Sequence, residues 1–324
     1  MLVAGDVGGT KTLLGLFEAA DPRPTALATH TYVTSDFASF TDVLDAFASA
    51  IGRAVEIDAV AIGVAGPVVG GRAALTNISW DVSVDEIARK LGTPRVRLLN
   101  DLEAMAISVE RLAPDEVLSL QPGIPRADGN AAVIAAGTGL GQAYLHRVNG
   151  RLRPMPSEGG HADFAARTDR ELELVRMLRE MYGRAEVEHV LCGPGLLNLH
   201  RFTHRGGECE MLQGVADAAA PPRISQAGMA GRCQGCAEAL RMFVTAYGAE
   251  AGNMALRGVA TAGVYIGGGI APKILPALQT GSFMEAFVDK EPMRELLQRM
   301  PVKVILNREA GLLGAAVEAQ ELVS

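Results

Sequence analysis

Glycine turns flanked by polar residues are the first feature of this sequence that could do chemistry. The segment VAGDVGGTKTLLGLFE (3–18) is an apolar strand that reaches Asp6, crosses Gly8, Gly9 and Thr10, and resumes as a second apolar strand. Such a turn exposes backbone N–H groups without Cβ atoms in the way, and a threonine hydroxyl can add a hydrogen bond, so it suits phosphate oxygens. A purely structural tight turn would have the same sequence, because glycine-rich turns are common.

A second turn repeats this pattern later in the chain. The segment AAVIAAGTGLGQAYL (131–145) turns through Gly137, Thr138 and Gly139 between two apolar strands. Neither turn fits a P-loop or a dinucleotide fingerprint, because the glycine spacing differs and each turn leads into a strand instead of a helix. Since one turn heads each half of the chain, we predict two loops that grip a polyphosphate.

A third glycine cluster, Gly267 to Gly269, follows the buried strand TAGVYI and opens a helix. Ligands of α/β sheets lie beyond the carboxyl ends of strands, so adenosine could lie against this bare backbone. A strand–helix turn that needs glycine only for packing is the alternative. Asp6, at its own strand end, could hold a water molecule of a phosphate-bound Mg²⁺, since Mg²⁺ keeps much of its hydration.

Two polar groups complete the candidate site. Asn100 and Asp101 lie where the strand RVRLL meets a helix, so Asp101 could be a general base in phosphoryl transfer or simply the N-cap of that helix. Glu158 and His161 flank a Gly-Gly turn, where both side chains could bind hydroxyl groups of one sugar. Taken alone, a solvated loop carboxylate and a turn histidine explain them as well.

The elements that position these residues indicate an α/β protein with two domains. Each glycine turn sits in a strand–turn–strand unit followed by helices, which predicts duplicated mixed sheets flanked by helices, with an interdomain cleft. Ser83 is expected to cap the helix SVDEIARKLG, and residues 169–257 are expected to be mostly helical. The Pro- and Gly-containing segment 114–130 is interpreted as a connection between domains.

Composition limits the partners. The 324 residues carry a formal charge of −7 and no basic stripe, which argues against a nucleic-acid partner. The apolar runs are too short to span a membrane, and no signal peptide is visible, so we expect a cytoplasmic protein. Four irregularly spaced cysteines fit reduced thiols. We interpret Cys233 and Cys236 as an incidental pair, because no further metal ligands are apparent in the sequence.

Together the motifs resemble the bacterial ATP-dependent glucokinase family, outside the ROK group, with the actin-like ATPase fold. The resemblance rests on GDVGGTK, LLNDLEAMA, AAGTGLG, EGGHADF, VEHVLCGPGLLNL, GVYIGGGIAP and GLLGAA, in this order along nearly the whole chain. ROK sugar kinases carry a cysteine-rich zinc motif shortly after the E-x-G-H segment. This chain has no cysteine there, and because its sequence opens on the strand before the first glycine turn, we expect no N-terminal helix-turn-helix of the kind that ROK repressors carry.

The resemblance implies roles for individual residues. Asp101 resembles the family's catalytic base, acting on the 6-hydroxyl of glucose. The implied sugar-binding residues are Asn100, Asp101, Glu158, His161 and Glu188. The implied nucleotide-binding residues are Gly5, Asp6, Val7, Gly8, Gly9, Thr10, Gly137, Thr138, Gly139, Gly267, Gly268 and Gly269. No protein metal site is expected; Mg²⁺ would be carried by ATP.

The resemblance also implies a domain division and a homodimer. A small domain, residues 1–110, would be completed by a C-terminal helix at about 308–324, and residues 111–307 would form a larger domain. The predicted activity is glucose phosphorylation by ATP. A kinase of mannose, fructose or an N-acetylhexosamine would keep every motif, and a sugar-sensing regulator without turnover is the alternative outside enzymes.

Overall fold

The computed structural model describes residues 1–52, 55–75, 78, 80–205, 207 and 209–323. The chain divides into two compact units, Met1–Pro114 with Asn307–Ser324, and Asp115–Leu306. Each unit is built around its own mixed β-sheet. Among the described helices, none combines the length and the apolar character needed to cross a membrane.

The first unit begins with a strand-rich segment. Its described elements, in chain order, are β1 (Leu2–Val7), β2 (Lys11–Glu18), β3 (Thr25–Val33), α1 (Phe40–Ile51), β4 (Ala59–Val64), β5 (Val68–Val69), β6 (Arg72–Ala74), β7 (Asp81–Ser83), α2 (Val84–Leu91), β8 (Val96–Asn100) and α3 (Asp101–Ser108). The main sheet has the order β3-β2-β1-β4-β8. Strands β1, β2 and β3 are antiparallel, whereas β1, β4 and β8 run parallel.

The second unit contains a sheet followed by a helical region. Its described elements are β9 (Val117–Gln121), β10 (Ala131–Ala136), β11 (Leu140–Val148), β12 (Arg151–Ser157), α4 (Asp169–Tyr182), α5 (Gly193–His204), α6 (Ala220–Met229), α7 (Gln234–Gly258), β13 (Gly263–Gly267), α8 (Leu275–Leu278), α9 (Ser282–Val288), α10 (Arg294–Arg299) and β14 (Val302–Ile305). The last helix, α11 (Ala310–Glu321), belongs to the first unit.

The two main sheets share one topology, which confirms the predicted duplication. The second sheet has the order β12-β11-β10-β13-β14-β9. Strands β10, β11 and β12 are antiparallel, and β10, β13 and β14 are parallel, as in the first sheet. Five strands of the second sheet match the first sheet, and β9 is an additional edge strand. Because one glycine turn joins β1 to β2 and the other joins the matching strands β10 and β11, the two turns occupy equivalent topological positions.

Apolar side chains of β1 are buried on both faces of the first sheet. Val3 and Val7 join a core cluster that includes Val43 of α1, whereas Leu2 and Ala4 pack in a second cluster with α11. Side chains of a strand point alternately to opposite faces, so one apolar strand can contact a helix on each side. Helix α11 therefore covers the face of the first sheet that α1 leaves open.

Helix α11 crosses α3 at a point where only glycine fits. A Cβ atom added to Gly314 would lie 1.6 Å from the carbonyl oxygen of Ala104. The absence of a side chain at this position lets the two backbones touch. This contact fixes α3, which begins at Asp101, against the C-terminal helix.

One interpretation of local structure was wrong. Residues 117–121, assigned to an interdomain connection, form β9, which pairs antiparallel with β14 at the edge of the second sheet. This strand is short and lies between Pro114 and Gly123, so its hydrogen-bonding partner became evident only after folding.

The triple glycine is followed by a helix, as predicted. That helix begins as a 3₁₀ turn, Ala271–Ile274, and continues into the short α8.

Ser83 has the predicted position but not the predicted contact. It occupies the N-cap of α2, yet its side chain makes no capping hydrogen bond. Ser83 is also the last residue of β7 and is buried. Ser83 therefore ends a strand of the three-stranded sheet β5-β6-β7 and begins α2 at the same position. At most helix N-termini the side chain of this residue makes the capping hydrogen bond.

Candidate active site

The first glycine turn is a hairpin tip that is held by Thr34, the residue directly after β3. Gly8 to Thr10 join β1 to β2, and the hydroxyl of Thr34 donates to the carbonyl oxygen of Gly8 at 2.9 Å. The N–H of Thr34 also donates to the carbonyl of Thr10 at 3.0 Å. Thr34 is fully buried and was missed by the sequence analysis, because its contact with the turn spans more than twenty residues. The turn itself is held in shape without using its own exposed threonine hydroxyl.

The remaining residues assigned to the first loop lie at the end of β1. Gly5 and Val7 are buried strand residues, so a ligand could meet only their backbone. Asp6 is partly buried between them. Burial of its carboxyl group, together with the negative charge of Asp101, raises the pKa of Asp6 to about 6. The first unit thus brings Asp6 and Asp101 close enough to repel each other.

Asp101 is not the N-cap of its helix. Asn100 occupies that position, and its side-chain oxygen accepts a hydrogen bond from the N–H of Leu102 at 3.0 Å. The Asn100 amide donates to the carbonyl of Gly66 at 3.2 Å, which fixes its orientation. Asp101 is the first helical residue and is exposed, although one of its oxygens also accepts from Leu102 at 2.8 Å. Helix capping, which was the alternative to a catalytic role for Asp101, is therefore performed mainly by Asn100.

The second glycine turn lines a cavity in the second unit. Gly137 accepts a hydrogen bond from the N–H of Gly193, at the start of α5, at 2.9 Å. The cavity, of about 790 Å³, is lined by Gly137 and Thr138, by Gly269 from the third glycine cluster, and by residues of α5 and α6. Its size lies within the range of small-molecule sites. Two of the three predicted glycine turns therefore meet at one pocket.

The α5 and α6 side of this pocket was not predicted. Leu197, Asn198 and Arg201 of α5 and Ser225 of α6 contribute to its lining. The apolar positions of a helix indicate that it packs against a core. They do not indicate that another side of the same helix borders a cavity. The nearest signal was the unusual CGPG segment that starts α5, which the sequence analysis used only for its resemblance.

Gly268 cannot carry a side chain without displacing the neighbouring turn. Its φ is +82°, and an added Cβ would lie 2.3 Å from the carbonyl oxygen of Ala136, at the end of β10. A left-handed backbone costs a non-glycine residue about 1–2 kcal/mol even without a clash. Gly268 is thus required for the close contact between β13 and the second glycine turn.

Gly268→Ala should therefore lower the free energy of unfolding by about 2 kcal/mol or more, through backbone strain and the clash with Ala136. Gly269→Ala is the matched control, since its added Cβ meets nothing within 4 Å and its φ is not left-handed. Urea unfolding of both variants measures the difference. Equal stability of the two would contradict this account.

The predicted sugar-binding residues of the second unit come together around one short segment. Glu158 and His161 bracket a 3₁₀ turn, and the N–H of Glu188 donates to the carbonyl of Gly160 in that turn at 2.8 Å. One carboxylate oxygen of Glu188 accepts from the N–H of Leu140 at 2.7 Å. Glu188 therefore connects the predicted sugar residues to the second glycine turn.

Glu186 is a site residue that the sequence analysis missed. Its carboxylate lies 2.8 Å from Nδ1 of His161 and accepts from Arg184 at 2.7 Å. The hydrogen bond between Glu186 and His161, together with the negative charges of Glu188 and Glu158, raises the pKa of the His161 imidazole above its usual value. The spacing in AEVEH was the available signal, because two glutamates flank one apolar residue next to the segment that resembles a sugar-binding motif.

Cys233 and Cys236, interpreted from the sequence as an incidental pair, gain further possible ligands on folding. The ligand atoms of His200, His204, Cys209 and Cys236 lie within 4.8 Å of one another, and Sγ of Cys233 is close to Nε2 of His204 and Sγ of Cys209. This proximity has no local signal in the sequence, since Cys209 and the histidines are between 24 and 36 residues away along the chain. This cluster does not overlap the residues assigned to sugar or nucleotide.

Comparison with known proteins places the chain among sugar kinases. The glucokinase family model matches residues 3–322. The chain belongs to the glucokinase family. A glucokinase of Synechocystis sp. is 36% identical over 98% of both chains. The crystal structure of a glucokinase from an Antarctic psychrotroph has a TM-score of 0.89 and 28% identity, covering 99% of this chain and 98% of the other.

A more distant structure shows how widely the fold extends. The glucokinase of Balamuthia mandrillaris, solved in complex with glucose, has a TM-score of 0.81 at 20% identity, covering 98% of this chain and 93% of the other. These findings confirm the predicted family and the predicted actin-like ATPase fold. As a member of the glucokinase family, the chain is an ATP-dependent sugar kinase.

Proposed function

We propose that this chain transfers the γ-phosphoryl group of ATP to the 6-hydroxyl of D-glucose, with Asp101 as the general base. The observation that carries the proposal is the position of Asp101. It is an exposed carboxylate at the carboxyl end of β8, with the cap of α3 supplied by Asn100. Membership of the glucokinase family supports glucose as the acceptor.

Asp101 would accept the proton of the sugar 6-hydroxyl as that oxygen bonds to the γ-phosphorus. The bond between the γ-phosphorus and the bridging oxygen of ADP breaks in the same step, so the products are glucose 6-phosphate, ADP and a proton. In phosphoryl transfer the protein mainly positions groups and neutralises charge, and one carboxylate near the nucleophile is the usual base. The negative charge of Asp101 favours a proton on the carboxyl group of Asp6.

The nucleotide would bind through the glycine turns. The 790 Å³ cavity beside Gly137, Thr138 and Gly269 has the dimensions of a nucleoside pocket, and bare backbone at the turns suits phosphate oxygens. Gly8 to Thr10, at the topologically equivalent hairpin of the first unit, would bind phosphate oxygens through the same kind of bare backbone. Mg²⁺ bound to the nucleotide would neutralise phosphate charge. Asp6 fits a contact with its water, because a partly buried carboxylate at a strand end gains from a nearby cation.

Glu158, His161 and Glu188 would bind hydroxyl groups of glucose. Glu186 holds the ring of His161, so the imidazole presents its other nitrogen in a fixed direction. A site built to hydrogen-bond hydroxyl groups discriminates strongly against ligands that lack them, because its polar groups would then be unpaired. We expect sugar selectivity to depend on this group.

Glu158→Ala should raise the KM for glucose by ~10-fold or more while leaving the KM for ATP nearly unchanged, since only sugar hydrogen bonds are lost. Steady-state kinetics with each substrate varied in turn measures both constants. Glu180→Ala, which removes an exposed carboxylate from α4, is the matched control. If Glu158→Ala weakened both substrates equally, a folding defect would replace the binding assignment.

The test of the proposed function is a coupled assay for glucose 6-phosphate with ATP and Mg²⁺, repeated with mannose, fructose and N-acetylglucosamine. The highest kcat/KM is expected for glucose. A higher kcat/KM for another hexose would overturn the choice of acceptor, and no turnover of any sugar would overturn the kinase function.

The family resemblance also supports a cytoplasmic homodimer. Both properties are proposals, and the dimer is tested by light scattering of the purified protein, for which we expect twice the mass of the 34.0 kDa chain. A mass equal to one chain across the accessible concentration range would overturn it.

A further inference from the structure

A cluster of thiols and imidazoles lies outside the residues assigned to sugar and nucleotide. Cys233 is the N-cap of α7, and Cys236 lies in its first turn. His200 and His204 are one turn apart at the C-terminal end of α5, and Cys209 follows α5. The group therefore joins two packed helices and the segment after the first of them.

The sulfur separations match those around a tetrahedral metal ion. Sγ of Cys209 lies 3.9 Å from Sγ of Cys233 and 3.8 Å from Sγ of Cys236. Thiolates bound to tetrahedral Zn²⁺ at about 2.3 Å are separated by about 3.8 Å. A disulfide requires about 2.0 Å, so Cys209 is bonded to neither of the other two sulfur atoms and lies from each at the distance expected across a shared metal ion.

His204 supplies a fourth donor with the correct orientation. Its Nε2 lies 3.2 Å from Sγ of Cys233, whereas its Nδ1 lies 2.9 Å from the carbonyl oxygen of His200. A proton on Nδ1 that is donated to this carbonyl leaves the lone pair of Nε2 directed at the sulfur atoms. Metal-binding histidines usually donate their other N–H to a carbonyl or carboxylate in this way.

His200 places a second buried imidazole against this group. Its side chain is 6% exposed, and its Nε2 is buried without a hydrogen-bond partner among the described residues. The His200 ring stacks on that of His204 with centroids 3.9 Å apart, and it belongs to the same cluster of possible ligands. A buried polar atom without a partner costs free energy, so His200 Nε2 is an unfavourable feature of this region in the metal-free fold.

We propose that Cys209, Cys233, Cys236 and His204 bind one structural zinc ion. Three thiols lose their protons on binding, so the site carries a net charge of −1 and all four tetrahedral positions are filled by protein. With no open position, the ion has no place for substrate or water. Its effect is to tie the end of α5 to the start of α7. His200 packs against the site as a neighbour of His204.

The experiment measures metal in the full-length protein expressed with Zn²⁺ and purified without chelator. We expect about one zinc per chain by mass spectrometry of the metal. Cys209→Ser, Cys236→Ser and His204→Ala should each weaken zinc binding by ~10-fold or more. Cys192→Ser is the matched control, because Cys192 is the remaining cysteine of the chain and lies outside the cluster. It should retain the metal.

Cobalt substitution tests the geometry without depending on variants that fold. Co²⁺ added to the zinc-free wild-type protein should produce the intense visible bands of tetrahedral cobalt–thiolate coordination, and Zn²⁺ should abolish them. Chelator should lower the thermal unfolding midpoint of the wild type and of Cys192→Ser. The absence of both zinc and a cobalt spectrum would overturn the proposal. So would a disulfide between Cys209 and Cys233 or Cys236 in the freshly purified protein.

Discussion

Asp101→Asn should lower kcat by ~10²-fold or more while the affinity for glucose largely survives. The asparagine keeps the size of the side chain and can still contact the N–H of Leu102, so α3 and its cap at Asn100 should be retained. What the variant loses is the ability to accept the proton of the 6-hydroxyl. Initial rates at saturating ATP and glucose, with glucose binding measured by calorimetry, separate the two quantities.

A charge change in the first turn of another helix provides the control for this variant. Asp85 lies in the first turn of α2 and is exposed, much as Asp101 begins α3. Asp85→Asn removes a comparable favourable interaction with a helix N-terminus, worth about 0.3–1 kcal/mol, and should leave kcat unchanged. Wild-type turnover in Asp101→Asn would remove Asp101 from the mechanism. A loss of kcat in both variants would indicate a general electrostatic effect.

Asp6→Asn should make the protein more stable and less active. Burial and the charge of Asp101 raise the pKa of Asp6 to about 6 from 3.8. The unfolded chain ionises this carboxyl more readily than the folded chain does, so the folded state loses stability as pH rises from about 4 to about 6. At pH 8 this cost reaches up to about 3 kcal/mol, and the asparagine variant avoids it.

The pH dependence of this gain in stability distinguishes the loss of a charge from a change in packing. The gain in unfolding free energy should be largest above pH 7 and should shrink as pH falls to 4 and below, where Asp6 becomes protonated in the unfolded state as well as in the folded state. Urea unfolding across this range measures it, with exposed Asp36→Asn as a control that shows no such trend. A gain independent of pH would mean that the raised pKa is not its cause.

The kinetic constants of Asp6→Asn test whether the destabilising carboxylate of Asp6 contributes to activity. If the charge of Asp6 assists Mg²⁺–ATP, Asp6→Asn should reduce kcat/KM for ATP by ~10-fold or more, and wild-type kcat/KM should decline as pH falls through about 6. Unfavourable groups of this kind are concentrated at functional sites. Full activity of Asp6→Asn would leave the unfavourable burial of Asp6 without a functional reason.

The sequence by itself determined the parts of this protein that depend on neighbouring residues. The hairpins at Gly8–Thr10 and Gly137–Gly139, the strand–helix joint at Asn100 and the duplicated strand pattern were all predicted from local apolar runs and glycine positions. These features are local because turn geometry and strand alternation are set within a few residues. The order of the motifs along the chain was sufficient for the family.

Only the tertiary structure decided which distant residues meet. Thr34 braces the first turn, Glu186 orients His161, β14 gives β9 its partner, and α5 brings two histidines to the cysteines. Such contacts join residues that lie far apart in the chain. Their formation depends on how helices and strands pack after the local elements exist, which spacing along one sequence does not encode. The glycine turns could be predicted from the sequence, whereas the pocket beside them and the proposed zinc site became visible only in the fold.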